Sequence, residues 1–431
     1  MWHSYEGKQK ELLEAMVEEY NSTQGAERSA HVRLIHKNER DIYENLNSKM
    51  ETFADAKEYP QISFISNELA NKAFSHNLLA CAEDYLSKAQ LSQYFTGFIN
   101  EGRFTGNDKT YIFPITKKID ITIINESEWN LFYRGRDVSP EDWNTWNGLR
   151  KLGEKYYNWS DGKALVAFEN LENFIFTYSA QKLPVFVQAG NNEIKINAGK
   201  NVLQDIWNIY FGGVIRGYIS QTDDINTAME NREIIAYIGV PCDRKELPSQ
   251  YVNKNGIKST MSITSSMYPV VNDSRNIVPQ SGQGVAVFNH GEEINIESYY
   301  FLNWLCTNES MIDFSFEESE IASCKNIYDT EHFDEFLSEK YLEDNANTSM
   351  ISTAVGQITN GSSYASAEFL EYDEFSKAIE SALFDLSSKG RQQVEELISK
   401  GISYSNAVNM VDNEAAFEEW YNIVVDICEK Y

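Results

Sequence analysis

Apolar strand patterns alternate with amphipathic helix patterns along most of this 431-residue chain. Residues 8–20 carry an apolar stripe at helical spacing, whereas residues 62–65 and 234–240 are short apolar runs typical of buried strands. Such alternation predicts an α/β protein with a partly parallel sheet. From residue 331 onward the pattern predicts helices, with residues 345–366 as a long loop rich in Asn, Ser, Thr and Gly.

Residues 112–125 combine two strand patterns with a polar break that contains Lys117 and Lys118. Pro114 cannot donate to a sheet ladder, so we expect the first strand to end or bend there. The second strand is rich in β-branched residues and alternates, as a strand with one buried face does. Because lysines are poor core residues, we predict that residues 116–118 cross from one lobe to another and reach a cleft. An ordinary surface turn is an equally open alternative.

The charge balance restricts the class of partner. The chain has 65 acidic and 37 basic residues, a formal net charge of −28. Nucleic acids and anionic membranes attract clustered Lys and Arg, so neither is expected as the main partner. The five cysteines are scattered without metal-ligand spacing, which argues against a zinc site and a disulfide framework. We expect no metal and no cofactor.

Sequence signatures of catalysis are missing. The chain has no GxSxG, P-loop, helix-opening GxGxxG or HExxH motif, so we do not expect an enzyme. Paired carboxylates are so frequent that a secreted glycoside hydrolase stays open as an alternative of another class. Eight Trp, 25 Tyr and 23 Phe accompany many polar loops after strands. Aromatic faces and polar side chains together suit sugars, although most of these rings are expected in the core.

Several segments together resemble family 1 of the extracellular solute-binding proteins of bacterial ABC importers, which includes maltose- and glycerol-3-phosphate-binding proteins. They cover essentially the whole chain: residues 2–8, 60–64, 113–118, 142–152, 234–239, 278–282, 301–305 and 417–421. Gln61 departs from the family, which usually has an acidic residue there. The most similar subgroup is common in Gram-positive anaerobes and does not specify the solute.

The resemblance implies a two-lobed, periplasmic-binding-protein-like (type II) α/β fold with discontinuous lobes, a hinge, a cleft and a helical C-terminal region. The implied lobes are residues 1–115 plus 272–320 and residues 116–271 plus 321–431. The implied crossings fall near Thr116, Pro269 and Ile321.

The resemblance also implies ligand-binding residues. In the first lobe and at the hinge these are Ser4, Tyr5, Glu6, Ser66, Asn67, Glu68, Lys117, Lys118, Gln280, Ser281 and Gln283. In the second lobe they are Asn173, Phe174, Gly239 to Cys242, and Tyr372.

The function that the resemblance implies is capture of a carbohydrate between two lobes and delivery to the ABC permease subunits. An anionic solute such as a glycerol phosphate is the alternative, since Lys117 and Lys118 would suit a phosphate. The protein is expected to be an extracellular, monomeric lipoprotein tethered to the membrane. The chain lacks a signal segment, and we expect its N-terminus to be processed or trimmed.

Overall fold

The computed structural model of the protein describes residues 1–104, 107–188, 194–197, 199–242, 246–272, 276–343, 345–364 and 372–431. The strands are β1 (Trp2–His3), β2 (Ile35–His36), β3 (Ile62–Ile65), β4 (Ile112–Pro114), β5 (Thr116–Ile119), β6 (Ile121–Asn125), β7 (Val166–Phe168), β8 (Phe186–Gln188), β9 (Ile194–Ile196), β10 (Ile219–Ser220), β11 (Ala236–Gly239), β12 (Gln250–Val252), β13 (Lys258–Thr260), β14 (Ile263–Ser266), β15 (Ile277–Ser281), β16 (Gly284–Val287), β17 (Ile321–Ala322) and β18 (Ser362–Tyr364).

The helices are α1 (Gly7–Ser22), α2 (Gln24–Arg28), α3 (Glu39–Glu51), α4 (Asn67–Ser75), α5 (Lys88–Leu91), α6 (Thr96–Glu101), α7 (Glu126–Tyr133), α8 (Trp146–Trp159), α9 (Leu171–Lys182), α10 (Lys200–Ile215), α11 (Ile225–Glu230), α12 (Glu292–Thr307), α13 (Met311–Phe316), α14 (Glu331–Glu343), α15 (Asn345–Thr359), α16 (Tyr372–Ser399), α17 (Tyr404–Val411) and α18 (Glu414–Lys430). Short 3-10 helices cover Ala56–Glu58, Ala82–Asp84, Pro140–Asn144 and Lys325–Asp329.

The chain forms two compact units. Unit 1 contains Met1–Ile119, Gln280–Ile351 and β18, and unit 2 contains Asp120–Pro279, Ser352–Gly361 and the C-terminal helices from α16. The sequence placed residues 321–431 in one lobe, whereas residues 321–351 belong to unit 1. This difference has a structural reason, because β17 pairs with β5 of unit 1. The chain changes unit after Ile119, close to the crossing expected near Thr116, and after Pro279 rather than near Pro269. The next change follows Ile351, not Ile321.

Unit 1 has a five-stranded sheet in the order β2-β1-β3-β16-β4. Strands β1, β2 and β3 are parallel, and β16 runs antiparallel to both β3 and β4. Its core includes the buried face of α1, with Leu13, Met16, Val17 and Tyr20, as the helical spacing predicts. A second sheet has the order β17-β5-β15-β18, with β5 antiparallel to β15 and β17.

Unit 2 has a five-stranded sheet in the order β10-β7-β11-β6-β14. Strands β7, β10 and β11 are parallel, whereas β6 runs antiparallel to its two neighbours. Every residue of β6 is buried, because this strand lies inside the sheet, so the expected solvent face is absent from it. Strands β8 and β9 form a hairpin, and so do β12 and β13.

Ser139, Pro140 and Asp142 are residue types that favour a helix start, and the structure has a helical turn there. Ser139 and Asp142 form a capping box with Pro140 at the first position, although the turn is 3-10 and α8 begins afterwards at Trp146.

The predicted loop at residues 345–366 is wrong, since it contains α15. Buried residues such as Ala346, Met350 and Ala354 recur along α15, so tertiary packing overrides its polar composition.

Candidate functional site

Candidate residues of unit 1 meet at one edge of its five-stranded sheet. The residues after β1 and β3 lie at the carboxyl ends of parallel strands, and Gly284 of β16 pairs with both Ile65 and Pro114 at the same edge. The topology therefore groups the opening loop, residues 4–6, with the start of α4, Gln283 and Thr116. Such edges are where open α/β sheets bind ligands.

Ser66 and Gln283 line one depression of about 240 Å³ in unit 1. Ser66 is exposed and caps α4, where its side chain accepts a hydrogen bond from the backbone N–H of Leu69 at 3.4 Å. Asn67 is half-buried at the start of α4, and the exposed Glu68 accepts a hydrogen bond from the Tyr43 hydroxyl at 3.4 Å. These residues form a polar rim that small solutes can reach.

The opening loop is polar but partly enclosed. Ser4 and Tyr5 are half-buried, whereas Glu6 is exposed and lies 3.8 Å from the Nε2 atom of His36. The Tyr5 ring packs edge-on against Phe64 and Phe314, with centroid distances of 4.8 and 4.7 Å. Burial raises the pKa of the Tyr5 hydroxyl well above its usual range, and the nearby Glu320 carboxylate raises it further. Tyr5 is therefore a neutral hydrogen-bonding group.

Glu320 is a residue that the sequence reading missed. It accepts a hydrogen bond from the Thr116 hydroxyl at 2.6 Å and one from the Gln9 amide at 3.3 Å. Glu320 is half-buried, and its neighbour Ile321 pairs with Lys117 in β17. No local pattern marks this carboxylate, because its partners come from segments about 200 and 310 residues away.

Lys117 and Lys118 lie in β5, not in a break between strands, so they point to opposite faces of the sheet. The Lys117 side chain is only 3% exposed, and its Nζ atom lies 2.5 Å from Glu101 Oε2. The Nζ atom also donates to the carbonyl oxygen of Gly282 at 2.6 Å. The expectation that both lysines reach a cleft is thus corrected for Lys117, whose charge is neutralised inside unit 1.

Gln280 lies on the same covered face as Lys117. Its amide donates to Glu101 Oε2 at 3.0 Å, and the side chain is buried. Ser281 pairs with Lys118 across β15 and β5, and both are half-buried on the opposite face. Lys118 has no ion pair within the part of the chain that the structure describes. Lys118 and Ser281 therefore stay available to a solute, whereas Lys117 and Gln280 do not.

The carboxyl edge of the unit 2 sheet carries a second group of polar residues. Asp120 precedes β6 and is 1% exposed, and its Oδ2 atom accepts a hydrogen bond from the Asn173 amide at 2.9 Å. Its Oδ1 atom has no partner within the described residues. Burial raises the pKa of Asp120 to about 7, with a further contribution from Glu169. Asn173 is thus engaged by a carboxyl group that the sequence reading did not select.

Gly239 ends β11 where another carboxylate approaches the backbone. Glu169 accepts a hydrogen bond from the backbone N–H of Val240 at 2.8 Å. A Cβ atom on residue 239 would lie 2.0 Å from Glu169 Oε2. Gly239 therefore permits the position of the Glu169 carboxylate, rather than contacting a solute through a side chain.

Cys242 lines a pocket of about 510 Å³ at this edge, and its Sγ atom lies 3.4 Å from the Tyr237 hydroxyl. The other polar lining residues are Glu169, Ser220, Gln221, Thr222, Asp223, Asp224, Asn226, Glu246 and Glu380, and the half-buried Phe168 forms part of the wall. Carboxylates, amides and hydroxyls beside an aromatic ring are groups that can bind sugar hydroxyls and C–H faces. Of the predicted residues 239–242, the structure thus places Cys242 in a pocket.

Phe174 and Tyr372 are core residues in the structure. Phe174 is fully buried against Trp146 and Phe168, with ring centroids 4.8 and 5.2 Å apart. Tyr372 is 9% exposed and its ring contacts Phe176. Both aromatic residues were selected from the family pattern, but their rings face other protein side chains.

The described residues offer no metal cluster and no membrane-spanning helix. These residues contain no group of three or more His, Cys, Asp or Glu side chains arranged to hold a metal ion. Among them there is also no helix long and apolar enough to cross a membrane.

No protein-family model matches the sequence, and no curated protein matches it either. Solved structures do match along the full length. A cyclic α-maltosyl-1,6-maltose binding protein from Arthrobacter globiformis has a TM-score of 0.68 and 14% identity, covering 100% of this chain and 98% of that one. The sugar-binding protein MalE from Xanthomonas citri has a TM-score of 0.67 and 12% identity, covering 99% of this chain and 96% of that one.

A third similar structure was solved with a different kind of ligand. UgpB from Mycobacterium tuberculosis, in complex with glycerophosphocholine, has a TM-score of 0.62 and 13% identity over 99% of this chain and 98% of that one. At such identities the comparison establishes the fold. The chain has the two-lobed α/β fold of maltose-binding-type proteins, which confirms the fold class expected from the sequence.

Proposed function

We propose that this protein is the extracellular substrate-binding component of an ABC importer, which captures a carbohydrate between its two lobes and delivers it to the permease. The observation that carries the proposal is the polar pocket of about 510 Å³ at the carboxyl edge of the unit 2 sheet. It combines carboxylates, amides and hydroxyls with the ring of Phe168, in a fold whose solved examples include sugar-binding proteins.

The edge of unit 1 supports the same proposal. Tyr5, Thr116, Glu320 and Ser281 offer neutral or anionic hydrogen-bonding groups, and Lys118 adds one cation. Binding then needs no chemical step, because a solute that contacts both lobes stabilises the closed state by its differential affinity. We accordingly propose that the protein is not an enzyme, and a panel of chromogenic glycosides should show no turnover.

An anionic solute such as a glycerol phosphate is the second candidate. The similar fold of UgpB with its glycerophosphocholine favours it, and Lys118, which has no ion pair among the described residues, can contact a phosphate. Against it, Lys117 is neutralised by Glu101, so only one of the two expected lysines remains. Carbohydrate is therefore the better supported class.

Thermal unfolding with a panel of mono- and oligosaccharides and of glycerol phosphates tests the proposal. At about 100 times Kd a true ligand adds ~2.7 kcal/mol of stability, which raises Tm by several degrees. The variant Glu169→Ala should lose most of this shift, whereas the exposed Glu429→Ala, outside the pocket, should retain it. Stabilisation by a glycerol phosphate and by no saccharide would select the second candidate.

We further propose that the protein acts as a monomer, tethered to the membrane as a lipoprotein, with the permease subunits as partners. Light scattering after size exclusion checks the monomer. Detergent-phase partitioning of the protein from its own cells checks the lipid anchor, and recovery in the aqueous phase alone would refute it.

A further inference from the structure

A second cavity, a groove of about 680 Å³, lies between α8 and α10 over strands β7 and β10 of unit 2. Among the described lining residues, Phe168 is shared with the carboxyl-edge pocket. Its volume lies within the range of about 300–1,000 Å³ that is typical of small-molecule sites. The proposed import function does not use this groove.

The floor of the groove is apolar. Val166 and Ile219 pair across β7 and β10, and Phe168 and Leu149 extend this surface. On α10 the wall contains Gly212 and Gly213, which have no side chains to fill the space. A Cβ atom at position 213 would lie 2.5 Å from Ile219 Cδ1, so glycine permits α10 to approach β10 while the groove stays open. An apolar ring can therefore lie on this floor.

The rim of the groove lacks the acidic excess of the chain, because its four cations match Glu154, Asp412 and the two carboxylates, Asp137 and Asp142, that lie beside its lysines. Four cationic residues line it, namely Arg150, Lys151, Lys155 and Arg216, together with two acidic residues, Glu154 and Asp412. The whole chain instead has 37 basic and 65 acidic residues. An anion therefore meets a more favourable charge environment here than the composition of the chain would provide.

Arg150 differs from the other three cations of the rim, each of which has a carboxylate partner. Lys151 lies 2.9 Å from Asp142, Lys155 lies 2.8 Å from Asp137, and Arg216 lies 2.9 Å from Asp412. Arg150 is exposed and has no ion pair or side-chain hydrogen bond within the part of the chain that the structure describes. Its guanidinium group can bind a carboxylate, sulfonate or phosphate through two parallel hydrogen bonds.

We propose that the groove between α8 and α10 is a second binding site, for a small anion that carries an apolar ring. The ring lies on the part of the floor formed by Val166, Ile219 and Leu149, away from Phe168, and the anionic group contacts Arg150 at the rim. This site is separate from the one proposed for the transported solute.

The fluorescent probe 8-anilinonaphthalene-1-sulfonate tests the proposal, because it joins aromatic rings to one sulfonate. N-phenyl-1-naphthylamine has the same rings without the sulfonate and is the matched neutral probe. We expect one saturable sulfonate site per folded chain, with affinity that falls as NaCl increases. The neutral probe should bind several-fold more weakly, and its affinity should not depend on salt.

Two variants locate the probe. Arg150→Gln should weaken sulfonate binding by about threefold to tenfold, as expected for one charge-assisted contact. Asn208→Trp places a large side chain on the exposed rim of α10 and should abolish binding of both probes. Arg134→Gln is the matched control, since Arg134 is exposed in unit 2 but outside the groove. Both altered rim residues are exposed, so the variants should fold, as circular dichroism can verify.

Unchanged binding in Asn208→Trp would overturn the location of the site. Equal affinity for the two probes, or equal losses in Arg150→Gln and Arg134→Gln, would overturn the preference for an anion. A saccharide that gives a thermal shift should not displace the sulfonate probe, and displacement would show that the two sites are one. The probe titrations and the variants can be measured whether or not any saccharide binds. A failure of this proposal can therefore be distinguished from a failure of the proposed import function.

Discussion

Replacement of Asp120 by Asn should change how the stability of unit 2 depends on pH. Asp120 is 1% exposed, with one oxygen bonded to Asn173 and the other without a partner among the described residues. Burial, as the main cause, raises its pKa from the ordinary value of 3.8 to about 7. The folded protein therefore binds a proton at Asp120 over a pH range in which the unfolded chain does not.

The sign and size of the effect follow from this difference. A carboxyl group whose pKa is higher in the folded state contributes stability that is fully present below pH 4 and is lost as pH rises through about 7. The difference corresponds to at most on the order of 4 kcal/mol. Asn cannot ionise, so Asp120→Asn should remove this pH dependence. It should be more stable than the parent at pH 8 by about 1–3 kcal/mol, since a buried amide retains some desolvation cost.

Urea unfolding at pH 5, 6, 7 and 8, followed by tryptophan fluorescence, measures the effect. Only Trp2 and Trp304 of the eight tryptophans lie in unit 1, so the signal mainly reports on unit 2. The exposed Asp426→Asn on α18 is the matched control and should track the parent protein. Asn173→Ala removes the hydrogen bond that lowers the pKa of Asp120, so it should move the loss of stability to higher pH.

A constant difference between Asp120→Asn and the parent from pH 5 to 8 would refute this reasoning. It would mean that Asp120 does not titrate between pH 5 and 8 in the folded protein, so that burial does not raise its pKa to about 7.

Other variants test further contacts, the first two by urea unfolding and the third by thermal unfolding with a saccharide. Lys117→Met leaves the Glu101 carboxylate without its cation and should lower the free energy of unfolding by about 3–5 kcal/mol. Lys118→Met should leave it nearly unchanged, and equal effects of the two variants would contradict the buried ion pair. Phe174→Ala should cost about 3–5 kcal/mol as a buried ring is lost, and a small cost would place this ring outside the core. Gly239→Ala should displace Glu169 and reduce the thermal shift given by a saccharide, and an unchanged shift would separate Glu169 from the solute.

Local patterns were sufficient to predict much of the fold. The stripe on α1 and the run at β3 depend on neighbours close in sequence, so their spacing gave the element and its buried face. Helix α15 was not predicted from its local pattern, because its Asn, Ser and Thr residues have low helix propensity and its stability comes from buried contacts. Strand β6 was predicted, but its burial on both faces was not, since period-2 alternation does not show whether a strand is central in a sheet.

The candidate site was harder to predict than the fold. Sequence placed Lys117 and Lys118 together, but membership of β5 separates them to opposite faces. Glu101 covers one face of β5 from the end of α6, and this tertiary contact is not marked by any local pattern. Glu320 and Asp120 were missed for a related reason, because their burial and partners are set by tertiary packing rather than by any motif.

Small-angle X-ray scattering, with and without the saccharide that gives the largest thermal shift, tests the central claim most directly. If the solute is captured between two lobes, the radius of gyration should fall on addition of saturating saccharide and should not change with a non-binding sugar. An unchanged radius of gyration at demonstrated saturation would contradict capture by lobe closure.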